Sequence, residues 1–163
     1  MGQSDQGIDV LGTLVPMTYI EYLRIYLGDQ PEFNRLIEGV ESNDKKLALA
    51  LFMFVEHFNA MPPDLSQKFG LEDFPNKSLL IHGAAVEALQ MAGIIQSRNF
   101  LNFNDAGVSF SVSDKAGEYQ QWASTIAAEA RQTAIETKVK INAEEGYDFL
   151  GSPDYIGTYW GGV

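Results

Sequence analysis

The sequence predicts a mainly α fold: a helical bundle around a buried central helix, with one β-hairpin and a long C-terminal helix followed by an extended arm. Three observations carry that expectation. The stretch Leu79–Gln96, LLIHGAAVEALQMAGIIQ, holds one charge, Glu87, and one histidine, His82. Its apolar residues fall on nearly every side of a helical wheel, as in a helix enclosed by its neighbours. Directly after it the apolar period drops from about 3.6 residues to about 2. Finally, Lys115 to Glu145 contains no proline and only Gly117 as a breaker, so one long helix is expected there.

The 163 residues fit one domain. We divide them into an N-terminal arm at 1–16, a helical domain at 17–146 with the hairpin at 100–113, and a C-terminal extended arm at 147–163. A hydrophobic content of 45% supports a proper core. Acids outnumber bases 22 to 11, giving a formal charge of −11. That argues against tight nucleic-acid binding, which needs Lys and Arg to displace counterions from phosphate. It does not argue against lining a channel through which DNA slides, where an acidic wall repels phosphate. The lack of cysteine excludes a disulfide framework, a thiolate nucleophile and a Cys-based zinc site. The start, MGQSDQGIDVLGTLVP, has neither the basic nor the apolar region of a secretory signal. Leu79–Ile95 approaches membrane length, but His82, Glu87 and Gln90 interrupt it and no basic cluster flanks it. A core helix is expected, and no membrane.

Taken in order, Thr18-Tyr19-Ile20-Glu21 fits a capping box and opens a helix that runs to Leu27. Its apolar face is Ile20, Leu23 and Leu27, and Gly28 ends it. Asp29 is placed to cap a short helix with Pro31 in its first turn, an inner side of Phe33, Leu36 and Ile37, and Gly39 as its stop. Ser42-Asn43-Asp44 announces a helix over Lys45–Asn59. Leu47, Leu51, Phe54, Val55 and Phe58 share one face of it, and Met61-Pro62-Pro63 terminates it. Residues 64–78 read as a loop pinned to the core by Phe69, Leu71 and Phe74, with Ser78 capping the central helix.

In the hairpin, Leu101 and Phe103 alternate with Asn102 and Asn104, and Val108, Phe110 and Val112 alternate with serines. Asn104-Asp105-Ala106-Gly107 supplies the turn. In the long helix Tyr119, Trp122, Ile126, Ala130 and Ala134 form the expected inward stripe, and Gly146 is the expected stop.

The residues that carry chemistry elsewhere are sparse. His57 and His82 are the only histidines, and neither has a companion at a catalytic or metal spacing. Each reads as a helix-end or core imidazole bonded to backbone. Asp64, Glu72 and Asp73 share a loop and read as caps and turn formers. The run from Asn102 to Gly107 begins like a calcium loop, but Ser113 stands where the distal glutamate belongs. Phosphate-binding fingerprints, nucleophile elbows and zinc-protease motifs are absent. No catalytic residue, metal or cofactor is assigned.

The tail is the segment whose composition calls for a partner. Phe149, Tyr155, Ile156, Tyr159 and Trp160 are costly to leave in water, at roughly 1.5–3 kcal/mol per large side chain. Gly151, Pro153, Gly157, Gly161 and Gly162 oppose a helix there. Such a tail either folds back on its own domain or anchors its aromatics in a neighbour's groove.

A small acidic helical domain, a hairpin, one long helix and an aromatic arm together resemble the head-to-tail adaptor, or neck, proteins of tailed bacteriophages. The stretch LLIHGAAVEALQMAGIIQSRNFLNFNDAGVSFSV, from Leu79 to Val112, also looks like phage structural sequences. The resemblance covers about residues 18–160, and it implies a non-enzymatic ring subunit at the head–tail junction of the virion, made in the host cytoplasm. Typically twelve copies dock on the portal protein in that family and line the DNA channel without specific binding, and a C-terminal arm grips the portal or a neighbour. The arm would here be Asp148–Trp160. The N-terminal arm and the loop at 62–77 have no counterpart in that pattern. A tail or baseplate component, or a small enzyme or regulator without a recognisable site, remain the alternatives.

Overall fold

The computed structural model describes the backbone of residues 7–33, 39–98, 102–105, 108–111 and 116–150, and the side chains of these outside the second hairpin and 147–150. The order is β1 (Ile8–Val10), β2 (Thr13–Val15), α1 (Met17–Leu27), α2 (Asp44–Ala60), α3 (Lys77–Arg98), β3 (Asn102–Asp105), β4 (Val108–Ser111) and α4 (Ala116–Leu150). The mainly helical class, the hairpin after the central helix and the long C-terminal helix are as expected.

α3 is the centre, packed against α4, α2 and α1. Its buried residues are Leu79, Leu80, Gly83, Ala84, Ala85, Val86, Ala88, Leu89 and Gly93. The enclosure is incomplete, because Ile94 is 58% exposed. By length and composition α3 is apolar enough to cross a membrane, and half of that apolar window is buried inside the protein. Gly83 lets α2 in: a Cβ there would stand 2.0 Å from the Phe54 ring. Phe54, Phe58 and Phe74 then form a ring cluster, the last two 4.7 Å apart. Leu71 and Phe74 are buried and Phe69 packs on the same core, so the 64–76 connection is pinned as its aromatics require.

Several local expectations need correction. Residues 8–15 are no extended arm but an antiparallel hairpin, Ile8 opposite Val15 and Val10 opposite Thr13. Leu11 and Gly12 both take positive φ, 51° and 84°, the geometry of a two-residue hairpin turn. Val15 is fully buried in the main core. α1 begins at Met17 with Pro16 as its N-cap, so Thr18 lies inside the helix and not at the cap position expected of it. Gly28 does end α1, in the left-handed region. Asn43 caps α2. Asn76, not Ser78, caps α3, its Oδ1 accepting from Leu79 N at 3.1 Å. The inner side expected of a short helix at Leu36 and Ile37 lies outside the described residues, and Phe33 is 68% exposed.

α4 corrects two further points. Its buried stripe is Ala116, Tyr119, Ala123, Ala130, Ala134 and Lys138, while Trp122 is 56% exposed. Small side chains let two helices approach, and at Gly93 of α3 a Cβ would lie 3.7 Å from the Ala116 carbonyl. An indole does not fit that seam. α4 also runs through Gly146 to Leu150, since an exposed glycine costs a helix only about 1 kcal/mol. Residues 147–150, expected in the arm, are therefore helical. Near this end α4 crosses the loop after α2: Asn142 Nδ2 donates to the Asp64 carbonyl at 3.0 Å and Ser66 Oγ to the Glu145 carboxylate at 2.8 Å. Glu145 thus serves tertiary structure rather than decorating a last turn.

Candidate functional site

A surface concavity lies between the end of α1, the connection to α2, α3 and α4, with a volume of about 480 Å³. Its apolar lining comes from Leu27, Ala88, Leu89, Ala92 and Ile126, its aromatic lining from Tyr26, Tyr119 and Trp122, and its carboxylates are Asp29, Glu41 and Glu118.

An ionic clamp builds the rim. Arg24, in the last turn of α1, gives one guanidinium nitrogen to Asp29 Oδ2 at 2.9 Å and the other to Asp44 Oδ1 at 2.7 Å and the Ser42 carbonyl at 2.9 Å. The Asp29 carboxylate also accepts from Glu41 N at 2.6 Å and Ser42 N at 2.8 Å. A planar five-donor fork suits this many acceptors. The short helix that Asp29 was expected to cap falls largely on residues outside those described; its carboxylate, with 8% side-chain exposure, takes the Arg24 cation and the N–H donors of Glu41 and Ser42.

The clamp fixes Glu41, whose Oε1 accepts from the Tyr119 hydroxyl at 2.5 Å. Burial first, then the bond to Glu41, then the nearby charges of Glu41, Glu118 and Asp29 push the Tyr119 phenol well above the usual tyrosine range. Tyr119 is therefore a fixed donor and no general base. Trp122 stands edge-on to Tyr119, centroids 6.2 Å apart. Tyr26 lies 5.0 Å from the His82 ring. Tyr22, Ile25 and Tyr26 form an exposed strip along α1. Such a surface can hold an apolar or cationic group, and among its described residues no nucleophile meets a base.

The histidines do not take the expected backbone partners. His57 Nδ1 bonds Glu87 Oε1 at 2.8 Å, since Glu87 is largely enclosed on the apolar α3 and takes the nearest donor. Tyr26 covers His82. In the acidic loop Asp73 Oδ1 accepts from Gly70 N at 2.6 Å as a turn former. Among the described residues no group of three or more metal-ligating side chains converges.

Of the residues assigned to partner binding, Phe149 is in the last turn of α4 and its side chain is not described. Tyr155, Ile156, Tyr159 and Trp160 lie outside the described residues. Sequence reasoning missed Arg24, Glu41 and Lys138. Arg24 offers a signal in hindsight, a lone base in a last helical turn followed by Gly28-Asp29. Glu41 offers none, because its partner is 78 residues away. Comparison with protein-family models, curated proteins and solved structures finds no match to this chain.

Proposed function

We propose that this chain is a virion structural protein, a subunit of a head-to-tail adaptor ring that docks on the portal and lines the DNA channel. The observation that carries the reading is α4. Its 35 residues, at about 1.5 Å each, extend about 52 Å, beyond the roughly 40 Å breadth of a compact body of this size. In this reading the segment after α4 is the one that grips a neighbour. That segment holds Tyr155, Ile156, Tyr159 and Trp160, with Phe149 in the last helical turn. The charge of −11 suits a conduit that leaves the genome mobile. The exposed Tyr22 and Ile25 give further surface for subunit contacts.

The test is the protein content of purified virions. A ring subunit is present at a copy number near that of the portal, typically twelve. Absence from virions overturns the reading, and the large copy number of a tail-tube protein moves it to the tail.

A further inference from the structure

We propose that the groove between α1 and α4 docks a basic peptide segment of another protein, with one arginine or lysine side chain entering between Tyr26 and Trp122 and its charge facing Glu41 and Glu118. This contact is separate from the C-terminal tail and stands whether or not the chain is a virion subunit.

Size comes first. A volume of about 480 Å³ falls within the roughly 300–1,000 Å³ of sites that enclose a ligand, and it accommodates a long side chain with its flanking backbone. Surface comes second. Trp122 is 56% and Tyr26 43% exposed at the same opening. Tyr and Trp are the residues around which interface energy concentrates, and their faces attract cations.

Charge selects the occupant. Among the described residues the lining of the groove has three carboxylates and no lysine or arginine. Asp29 already has Arg24. Glu41 accepts from an uncharged phenol, and neither Glu41 nor Glu118 is in an ion pair among the described residues. Burial and the bond to Glu41 raise the Tyr119 phenol first, and the charges of Glu41, Glu118 and Asp29 add to that shift. The chain's own tail fits poorly, because residues 151–163 carry Asp154 and no base. A second copy has acids over bases 22 to 11 and so offers the groove no net positive charge.

The experiment uses the full chain with Trp160→Phe, which leaves Trp122 as the sole indole. The probe is a capped pentapeptide alternating leucine and arginine, and its control has glutamate for arginine. The arginine peptide is expected to shift Trp122 emission saturably. Raising salt from about 50 to about 300 mM should weaken binding about tenfold or more. Glu118→Gln, at an exposed position with an unchanged melting curve expected, should weaken it about tenfold. No saturable binding, or equal binding of the glutamate peptide, overturns the proposal. Free arginine or choline binding as tightly as the peptide assigns the groove to a small molecule and also overturns it. Self-association that Trp122→Ala removes gives the groove to a second copy, with the same consequence.

Discussion

The ammonium of Lys138 donates to the carbonyl oxygen of Met61, 77 residues earlier in the chain. Met61 caps the C-terminus of α2, its N–H bonding back to the carbonyls of His57 and Phe58. The cation therefore sits at the negative end of that helix, and 5.0 Å over the Phe58 ring. Lys138, Asn142 and Glu145 share one side of α4, and all three bind residues 61–66.

Removing this contact should be costly. Lys138→Ala leaves a cavity and an unsatisfied carbonyl, and a loss of about 2–4 kcal/mol is expected. Lys138→Met keeps most of the stem and should lose about half as much. Urea unfolding measures both. An alanine variant within about 0.5 kcal/mol of the parent, as at ordinary surface positions, means that the ammonium is not enclosed.

Two groups give stability an alkaline pH dependence of opposite sign. Burial pushes the Lys138 ammonium below its ordinary 10.5, with the Asp64 charge partly opposing. The unfolded chain then holds that proton more tightly, so stability rises with pH from the folded value up to 10.5. The Tyr119 phenol is raised above its ordinary 10.0, so its contribution is complete below pH 10.0 and lost as pH climbs through the folded value. Denaturation midpoints between about pH 8 and about pH 11 should show that Lys138→Met removes the gain and Tyr119→Phe removes the loss. Curves unaltered by both variants contradict the assignment.

Two glycine-to-alanine changes should act in opposite directions. Gly83→Ala drives a methyl into the Phe54 ring and should destabilise by about 1–3 kcal/mol, despite the better helix former. Phe54→Leu in the same chain should recover part of the loss. Gly146→Ala meets nothing within 4 Å and should stabilise α4 by about 0.5–1 kcal/mol. Thermal melts of the three variants decide.

Arg24→Ala removes a guanidinium from the Asp29 carboxylate in a site of 8% exposure, and a loss of about 3 kcal/mol is expected. Arg24→Lys should rescue little, because an ammonium does not span Asp29, Ser42 and Asp44 together. Lys140→Ala breaks only the exposed pair with Glu144 at 3.7 Å and should change stability by less than about 0.5 kcal/mol.

Deleting 151–163 leaves α4 whole, so the melting temperature should stay within about 2 °C of the parent while incorporation into particles stops. Trp160→Ala alone should weaken assembly by about 2 kcal/mol per subunit. A truncated chain that unfolds puts the tail in its own core. One that folds and assembles normally means that another surface makes the contact.

What the sequence showed depended on side-chain size and on distance along the chain. The α2 face was legible because Leu47, Leu51, Phe54, Val55 and Phe58 are large and repeat at helical spacing. The α4 face was legible in part: Tyr119, Ala130 and Ala134 are buried as expected, while the conspicuous Trp122 points outward and the small Ala116 and Ala123 gave no signal. The first hairpin was hidden by Leu11, a bulky residue in a turn that usually advertises itself with Asn or Asp. The groove depends on Arg24, Asp29 and Glu41 meeting α4, a juxtaposition no local window contains.

The α4 strap also bears on synthesis. α1, α2 and α3 leave the ribosome before α4, yet α3 makes its most extensive packing with α4. A nascent chain that stops short of Ala116 exposes Val86, Leu89 and the small residues of α3 to solvent. Such an intermediate is a target for chaperones and proteases. Translation that stalls or terminates within α4 should therefore produce little accumulated fragment, and the domain should become protease-resistant only once Lys138 has emerged and reached Met61.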